Sequence, residues 1–100
     1  MTRRVVVEPE ARLELAEASD WYDARNPDVG SKFLRSYDLV YDSIVSNPHQ
    51  YQIVQGNVRR ASFGNFPYSL FYRVVADEIV IIACFHSKRN PKRWQDRTPD

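Results

Sequence analysis

Cysteine occurs once in this 100-residue chain, at Cys84, so no disulfide can form within it. Histidine occurs only at His49 and His86. Cys84 stands two residues before His86, but a Cys-x-His pair falls short of the four ligands that close a zinc site, and no metal or cofactor is expected. Glycine totals three, with none in a phosphate-cradling loop, which argues against nucleotide binding by such a motif. No nucleophile elbow or serine triad is readable. No apolar run approaches the ~18 residues of a membrane span, so no membrane partner is expected. The opening MTRRVVVEPE sets two arginines before three valines, too short an apolar stretch for a secretory signal. A cytoplasmic location is the expectation that follows.

What is present describes a folded domain. Hydrophobic residues make up 43% and charged residues 27%, a balance that disordered chains do not reach. The length fits a single domain, expected over residues 1–95, with 96–100 as a frayed tail. The net charge of +1 conceals an asymmetry. The first fifty residues carry six Lys/Arg against nine Asp/Glu, and the last fifty carry eight against four. Lys88, Arg89, Lys92, Arg93 and Arg97 cluster near the end, opposed there only by Asp96. Such a cluster fits an anionic partner, either nucleic acid or an acidic protein segment.

Periodicity divides the chain in two. Residues 3–8 are a β-branched run with Val5 and Val7 facing one way. Glu8-Pro9-Glu10 then opens a helix: proline suits the first turn and acids suit the positive end of the helix dipole. Ala11, Leu15, Ala18 and Tyr22 form its apolar stripe. Asn26 is placed to cap a second helix with Pro27 at its first position. That helix carries Val29, Phe33, Tyr37, Val40, Tyr41 and Ile44 on one face and ends near Asn47-Pro48. Gly30 falls in its first turn, where a glycine costs least. Three strands follow, over 58–63, 68–75 and 79–87, with turns at Gly64-Asn65 and Ala76-Asp77-Glu78. The third is the most apolar and is expected inside the sheet. The predicted fold is α+β, ordered β-α-α-β-β-β, with a helical hairpin on one face of a mainly antiparallel four-stranded sheet.

Strict alternation sorts the strand side chains. It groups Ile79, Ile81, Ala83 and Phe85 on one face of the last strand, and Val80, Ile82, Cys84 and His86 on the other. It sets Tyr68, Leu70, Tyr72 and Val74 against Ser69, Phe71, Arg73 and Val75. It also sets Arg59, Ala61 and Phe63 against Val58, Arg60 and Ser62. One hairpin covers one sheet face, which leaves a partly open face bearing aromatics, an arginine and His86 as a binding surface.

His86, at the strand end beside Lys88 and Arg89, can act as a general acid or base, or simply hydrogen-bond the backbone; the adjacent cations favour its neutral form. Arg59 and Arg60 point to opposite faces, one to pair with helix acids and the other free for phosphate or carboxylate. Tyr68, Phe66 and Trp94 can stack on bases, although Trp94 reads better as an anchor on the core. Cys84 reads as inert packing. Candidate residues for binding a target or nucleic acid are therefore Arg59, Arg60, Tyr68, Lys88, Arg89, Lys92 and Arg93.

The element order, together with RRASFGNFPYSLFYRVVADEIVIIACFHSKRNPKRW, resembles the RelE/ParE superfamily of type II toxin–antitoxin toxins. Arg60, the segment Phe66-Pro67-Tyr68 with Tyr72, the strand ending in His86, and the run Arg89-x-Pro91-x-x-Trp94 carry the resemblance across nearly the whole chain. It implies a small cognate antitoxin as partner. It also implies one of two activities: ParE-like poisoning of DNA gyrase without enzymatic action, or RelE-like cleavage of mRNA on the ribosome. His86, Arg89 and Arg60 would be catalytic in the second case only. RelE-like toxins carry an arginine where this chain has Ser69, and the Arg-x-Pro-x-x-Trp ending is ParE-like, so the ParE-like activity is the expectation. A non-toxic binding module on the same fold is a third reading.

Overall fold

The computed structural model describes residues 3–97. Its elements are β1 (Arg4–Val7), α1 (Pro9–Arg25), α2 (Pro27–Ser46), β2 (Ile53–Gln55), β3 (Val58–Ser62), β4 (Tyr68–Val75), β5 (Glu78–His86) and α3 (Lys92–Gln95). Asn26 is the joint of the hairpin. Its backbone N–H donates to Tyr22 O, closing α1, and its side chain accepts from Asp28 N at 3.0 Å, opening α2. One residue thus ends one helix and caps the next. The stripe residues Ala11 and Ala18 of α1, and Phe33, Val40 and Ile44 of α2, are buried beneath the hairpin.

Gly30 has a larger role than its place in the first turn of α2 indicates. A Cβ built on it lies 2.6 Å from Asp23 Oδ1 and 2.9 Å from Asp23 Cα. The Cα is backbone and cannot rotate aside, so the two helices close at this point because residue 30 has no side chain. Gly30→Ala is expected to destabilise the protein by about 1–3 kcal/mol as the hairpin is forced apart. The better helix propensity of alanine offsets this by only about 1 kcal/mol. A thermal melt of the variant is the measurement, and an unchanged or raised midpoint would contradict the close approach.

The sheet has five strands rather than the expected four, in the order β1-β5-β4-β3-β2. β1 runs parallel to β5 and the other pairs are antiparallel. The added edge strand, β2, is three residues long, too short to show a period. It turns into β3 through Gly56, whose φ of 55° lies in the left-handed region that glycine tolerates. β5 lies between β1 and β4, inside the sheet as expected, and is buried from Ile79 to Phe85.

The side-chain sorting holds for β3 and β4 but fails in the last strand. Phe71 pairs with Ala83 and Tyr72 with Ile81, so Ile82 is an extra residue, a β-bulge. Beyond it the alternation reverses. Cys84 joins Ile79, Ile81, Leu70 and Tyr72 in the core beneath the helices. Val80, Ile82, Ala83 and Phe85 face outward with Val58, Phe71 and Trp94. His86 pairs with Tyr68 on the helix side, so it does not lie on the open face where strict alternation placed it.

The outer face is also less open than expected. Trp94 of α3 is 4% exposed and stacks on Phe71 with ring centroids 4.3 Å apart and planes at 23°. Asp96 and Arg97, the first two residues of the expected tail, make defined contacts. Asp96 N donates to Lys92 O, and the Arg97 guanidinium is held by Glu10 and Glu14 of α1. Residues 98–100 lie outside the described part. Among the described residues no helix is long and apolar enough to cross a membrane.

Candidate functional site

A cleft of about 480 Å³ opens between α1 and the end of β5. One wall is α1, with Glu14, Glu17, Ala18, Trp21 and Tyr22; the other is Tyr68 and the chain from Cys84 to Arg89, without Ser87. It exists because β1 ends before β5 does. The last contact of the parallel pair is Glu8 N donating to Ile81 O, and from the bulge onward α1 stands beside β5 in place of a strand.

Side chains satisfy the backbone groups that β1 leaves. Arg97 Nη1 donates to Ile82 O at 3.1 Å, and Cys84 N donates to Glu14 Oε1 at 3.1 Å. The same Glu14 accepts from Arg97 Nη1 at 3.0 Å and from Nη2 at 2.8 Å, while Arg97 Nε lies 2.8 Å from Glu10 Oε2. This bidentate pairing, chiefly the hydrogen bonds to Glu14, raises the pKa of Arg97 above its usual value. Glu10 and Glu14 sit one helical turn apart on α1, so both reach one guanidinium. Burial, with Glu14 nearby, pushes the Cys84 thiol up to about 12. Cys84 is thus inert packing, a thiol rather than a thiolate at neutral pH.

The far end of the cleft is aromatic. Tyr68 meets the His86 ring edge-on at 5.1 Å, and burial raises its hydroxyl pKa. Tyr22 lies 6.2 Å from Tyr68 and 5.0 Å from Trp21, and Trp21 is half exposed with the Arg25 guanidinium 3.5 Å above its ring. His86 is tied into the turn that follows it. Its Nδ1 accepts from Lys88 N at 3.0 Å, and its carbonyl accepts from Arg89 N at 3.1 Å. The ring is therefore oriented by the backbone. Lys88 and Arg89 face the cleft from this turn, opposite Glu14 and Glu17, so the cleft carries both signs of charge.

Of the residues expected to bind a target, the cleft gathers Tyr68, Lys88 and Arg89, together with His86. Arg59 is elsewhere. It donates to His49 O at 3.1 Å and Tyr51 O at 2.6 Å, so it pins the chain before β2 rather than pairing with helix acids. Arg60 is exposed on the outer face, opposite Phe71 in register. Lys92 and Arg93 are exposed on α3. Glu14, Glu17, Trp21 and Arg97 were not anticipated. Glu14 and Arg97 are 83 residues apart and meet beside the bulge of β5. Among the described residues no cluster of three or more His, Cys, Asp or Glu side chains is placed to hold a metal ion.

A helical hairpin lies on one face of a β1-parallel, otherwise antiparallel sheet, and a charged and aromatic cleft opens at a strand end; together they define a compact α+β domain. The family model described as the ParE toxin of the type II toxin–antitoxin system parDE matches residues 5–91, and the chain belongs to that family. It is therefore a toxin component of the type II class. Among solved structures, one titled as the chromosomal ParDE toxin–antitoxin system from P. aeruginosa matches with a TM-score of 0.67. That chain is 18% identical, and the match covers 87% of this chain and 98% of that one. At this identity the likeness is one of fold. No curated protein matches.

Proposed function

We propose that this toxin acts by binding DNA gyrase rather than by cutting RNA, and that a cognate antitoxin neutralises it. One observation carries the choice between the two activities. His86 and Arg89 line the cleft on the helix side, whereas Arg60 stands on the opposite face of the sheet. Metal-free RNA cleavage needs acid, base and cation around a single phosphate. These three do not converge, and Ser69 takes the place of a further arginine. A binding mechanism makes no such demand.

The antitoxin reading is supported by the family and by the ParDE title of the structural neighbour. The cleft supplies a fitting receptor. Trp21, Tyr22 and Tyr68 offer aromatic surface, Lys88 and Arg89 attract carboxylates, and Glu14 and Glu17 favour a cation at the other wall. An amphipathic segment of mixed charge, seated against α1, matches this pattern.

Induction of the chain without antitoxin is expected to arrest growth and to trap gyrase–DNA cleavage complexes while mRNA stays intact. Arg89→Ala, which removes a central charged contact, is expected to weaken gyrase poisoning by roughly tenfold, the effect of losing about 1.4 kcal/mol of binding. mRNA cleavage on induction, abolished by His86→Ala, would establish the nuclease reading instead. Harmless overexpression would point to a non-toxic module.

A further inference from the structure

The outer face of β3 and β4 carries two arginines for which the cleft has no use. Arg60 stands opposite Phe71, and Arg73 stands opposite Val58. They are diagonal neighbours on one sheet face, a spacing of about 7–8 Å between backbones. Guanidinium groups on such long stems reach the same anion or two adjacent ones. Neither has an ion pair or side-chain hydrogen bond among the described residues. The Arg73 Nε is buried and has no acceptor. That atom is closed to an outside ligand, so the donors left for an anion are the terminal nitrogens of Arg73 and the exposed guanidinium of Arg60.

The surroundings favour an anion there. Glu78 is the acid that shares this face on β5, and it lies 3.6 Å from Arg4 in an ion pair. Ser62 and Ser69 pair across the two strands at the far end and add hydroxyl donors. The helix that seats Trp94 on Phe71 also brings Lys92 and Arg93, both exposed. Neither arginine lines the cleft; Arg60 is exposed and Arg73 half-buried, so their setting is sheet surface beside the patch that α3 covers. Spaced guanidiniums on a surface suit a polyanion, which gains affinity from several contacts at once, better than a single small ion.

We propose that Arg60 and Arg73 form a two-arginine phosphate clamp that grips the backbone of duplex DNA on the outer sheet face, separate from the cleft. Duplex DNA is chosen because a gyrase-directed toxin meets its target with DNA bound, and to that extent the proposal rests on the preceding reading. The contacts go to phosphates, so the clamp positions the protein without reading sequence.

The test leaves gyrase out, so its failure is distinct from failure of the gyrase reading. The purified full chain is titrated into a fluorescent duplex oligonucleotide at several salt concentrations, and anisotropy is read. Arg60→Gln and Arg73→Gln are each expected to reduce the slope of log K against log salt by about 0.9, and the double variant by about twice that. Lys32→Gln, on the exposed surface of α2, is expected to leave the slope unchanged. Arg73→Gln is expected to keep its thermal midpoint, because its Nε has no partner to lose. Unchanged slopes in both single variants, or binding to single-stranded RNA with duplex DNA ignored, would overturn the clamp.

Discussion

Trp94→Ala is expected to cost about 3–5 kcal/mol of folding stability, a large part of the roughly 5–15 kcal/mol that holds a domain of this size together. Trp94 is 4% exposed, although it lies in a four-residue helix with charged neighbours. Its ring stacks on Phe71 and closes a second apolar cluster containing Val58, Val80, Ile82, Ala83 and Phe85. Those residues form the outer face of the sheet, and α3 is the element that covers them. Truncation removes the buried ring, leaves a cavity against Phe71 and forfeits the stacking. It also frees the segment leading to Arg97, so the hold on Glu14 and on the bulge carbonyl of Ile82 weakens with it. Urea unfolding of the wild type, Trp94→Ala and Trp94→Phe is the measurement. Trp94→Phe is expected to retain well over half of the lost stability, since it still stacks on Phe71. A loss below about 1 kcal/mol in Trp94→Ala would mean that the outer face folds without its cover.

The same residue shows how far the fold could be read from the chain. Its buried aromatic role was legible because a tryptophan among cations has few other places to go. The helical hairpin was legible for a stronger reason. Pro9, Asn26 and Pro27 mark its boundaries chemically, and both helices carry their apolar residues at helical spacing. Gly30 was legible in position but not in purpose, because its contact with Asp23 belongs to the other helix. β2 was missed because three residues, two of them exposed hydrophobics, carry no period; the Gly56-Asn57 turn was its one available signal.

The largest misreading came from one inserted residue. In an alternating strand, a one-residue shift sends every later side chain to the other face. The bulge at Ile82 is encoded in nothing local, since Ile81-Ile82-Ala83 reads as uninterrupted strand. It is held by distant groups, the Arg97 guanidinium and the Glu14 carboxylate. Its consequence is one of position. It carries His86 from the outer face to the cleft and so separates it from Arg60. Lys88, Arg89 and Tyr68 do come together in the cleft, because their grouping depends on the strand's end, not on its face.

Raising the pH is expected to unfold the protein well before its backbone is attacked, and the burial of three weak acids sets where. Burial pushes Tyr72 and Tyr37 up from 10.0 to about 12, with Tyr41 adding to the shift at Tyr37. Burial pushes Cys84 from 9.0 to about 12. Each group therefore holds its proton more tightly in the folded protein than in the unfolded chain. The stability tied to these protons is fully present below the unfolded values and is lost as pH rises from about 9 toward about 12. A shift of two units corresponds to about 2.7 kcal/mol. Tyr37, only half-buried, contributes less than the fully enclosed Tyr72 and Cys84. Arg97 does not offset this, because its raised pKa keeps it charged across the window. Tyr72→Phe separates this cause from general alkaline damage. The Tyr72 hydroxyl donates to Pro48 O at 2.6 Å, so its removal leaves a buried carbonyl unpaired and costs about 1–3 kcal/mol near neutral pH. Above about pH 10 the variant has no phenol to ionise at that site, and its stability should fall less steeply by about 2–3 kcal/mol over the window. The two curves therefore converge as pH rises. Urea midpoints measured at half-unit steps from about pH 8 to about pH 12 test this, and parallel curves would show that Tyr72 ionisation does not drive the unfolding.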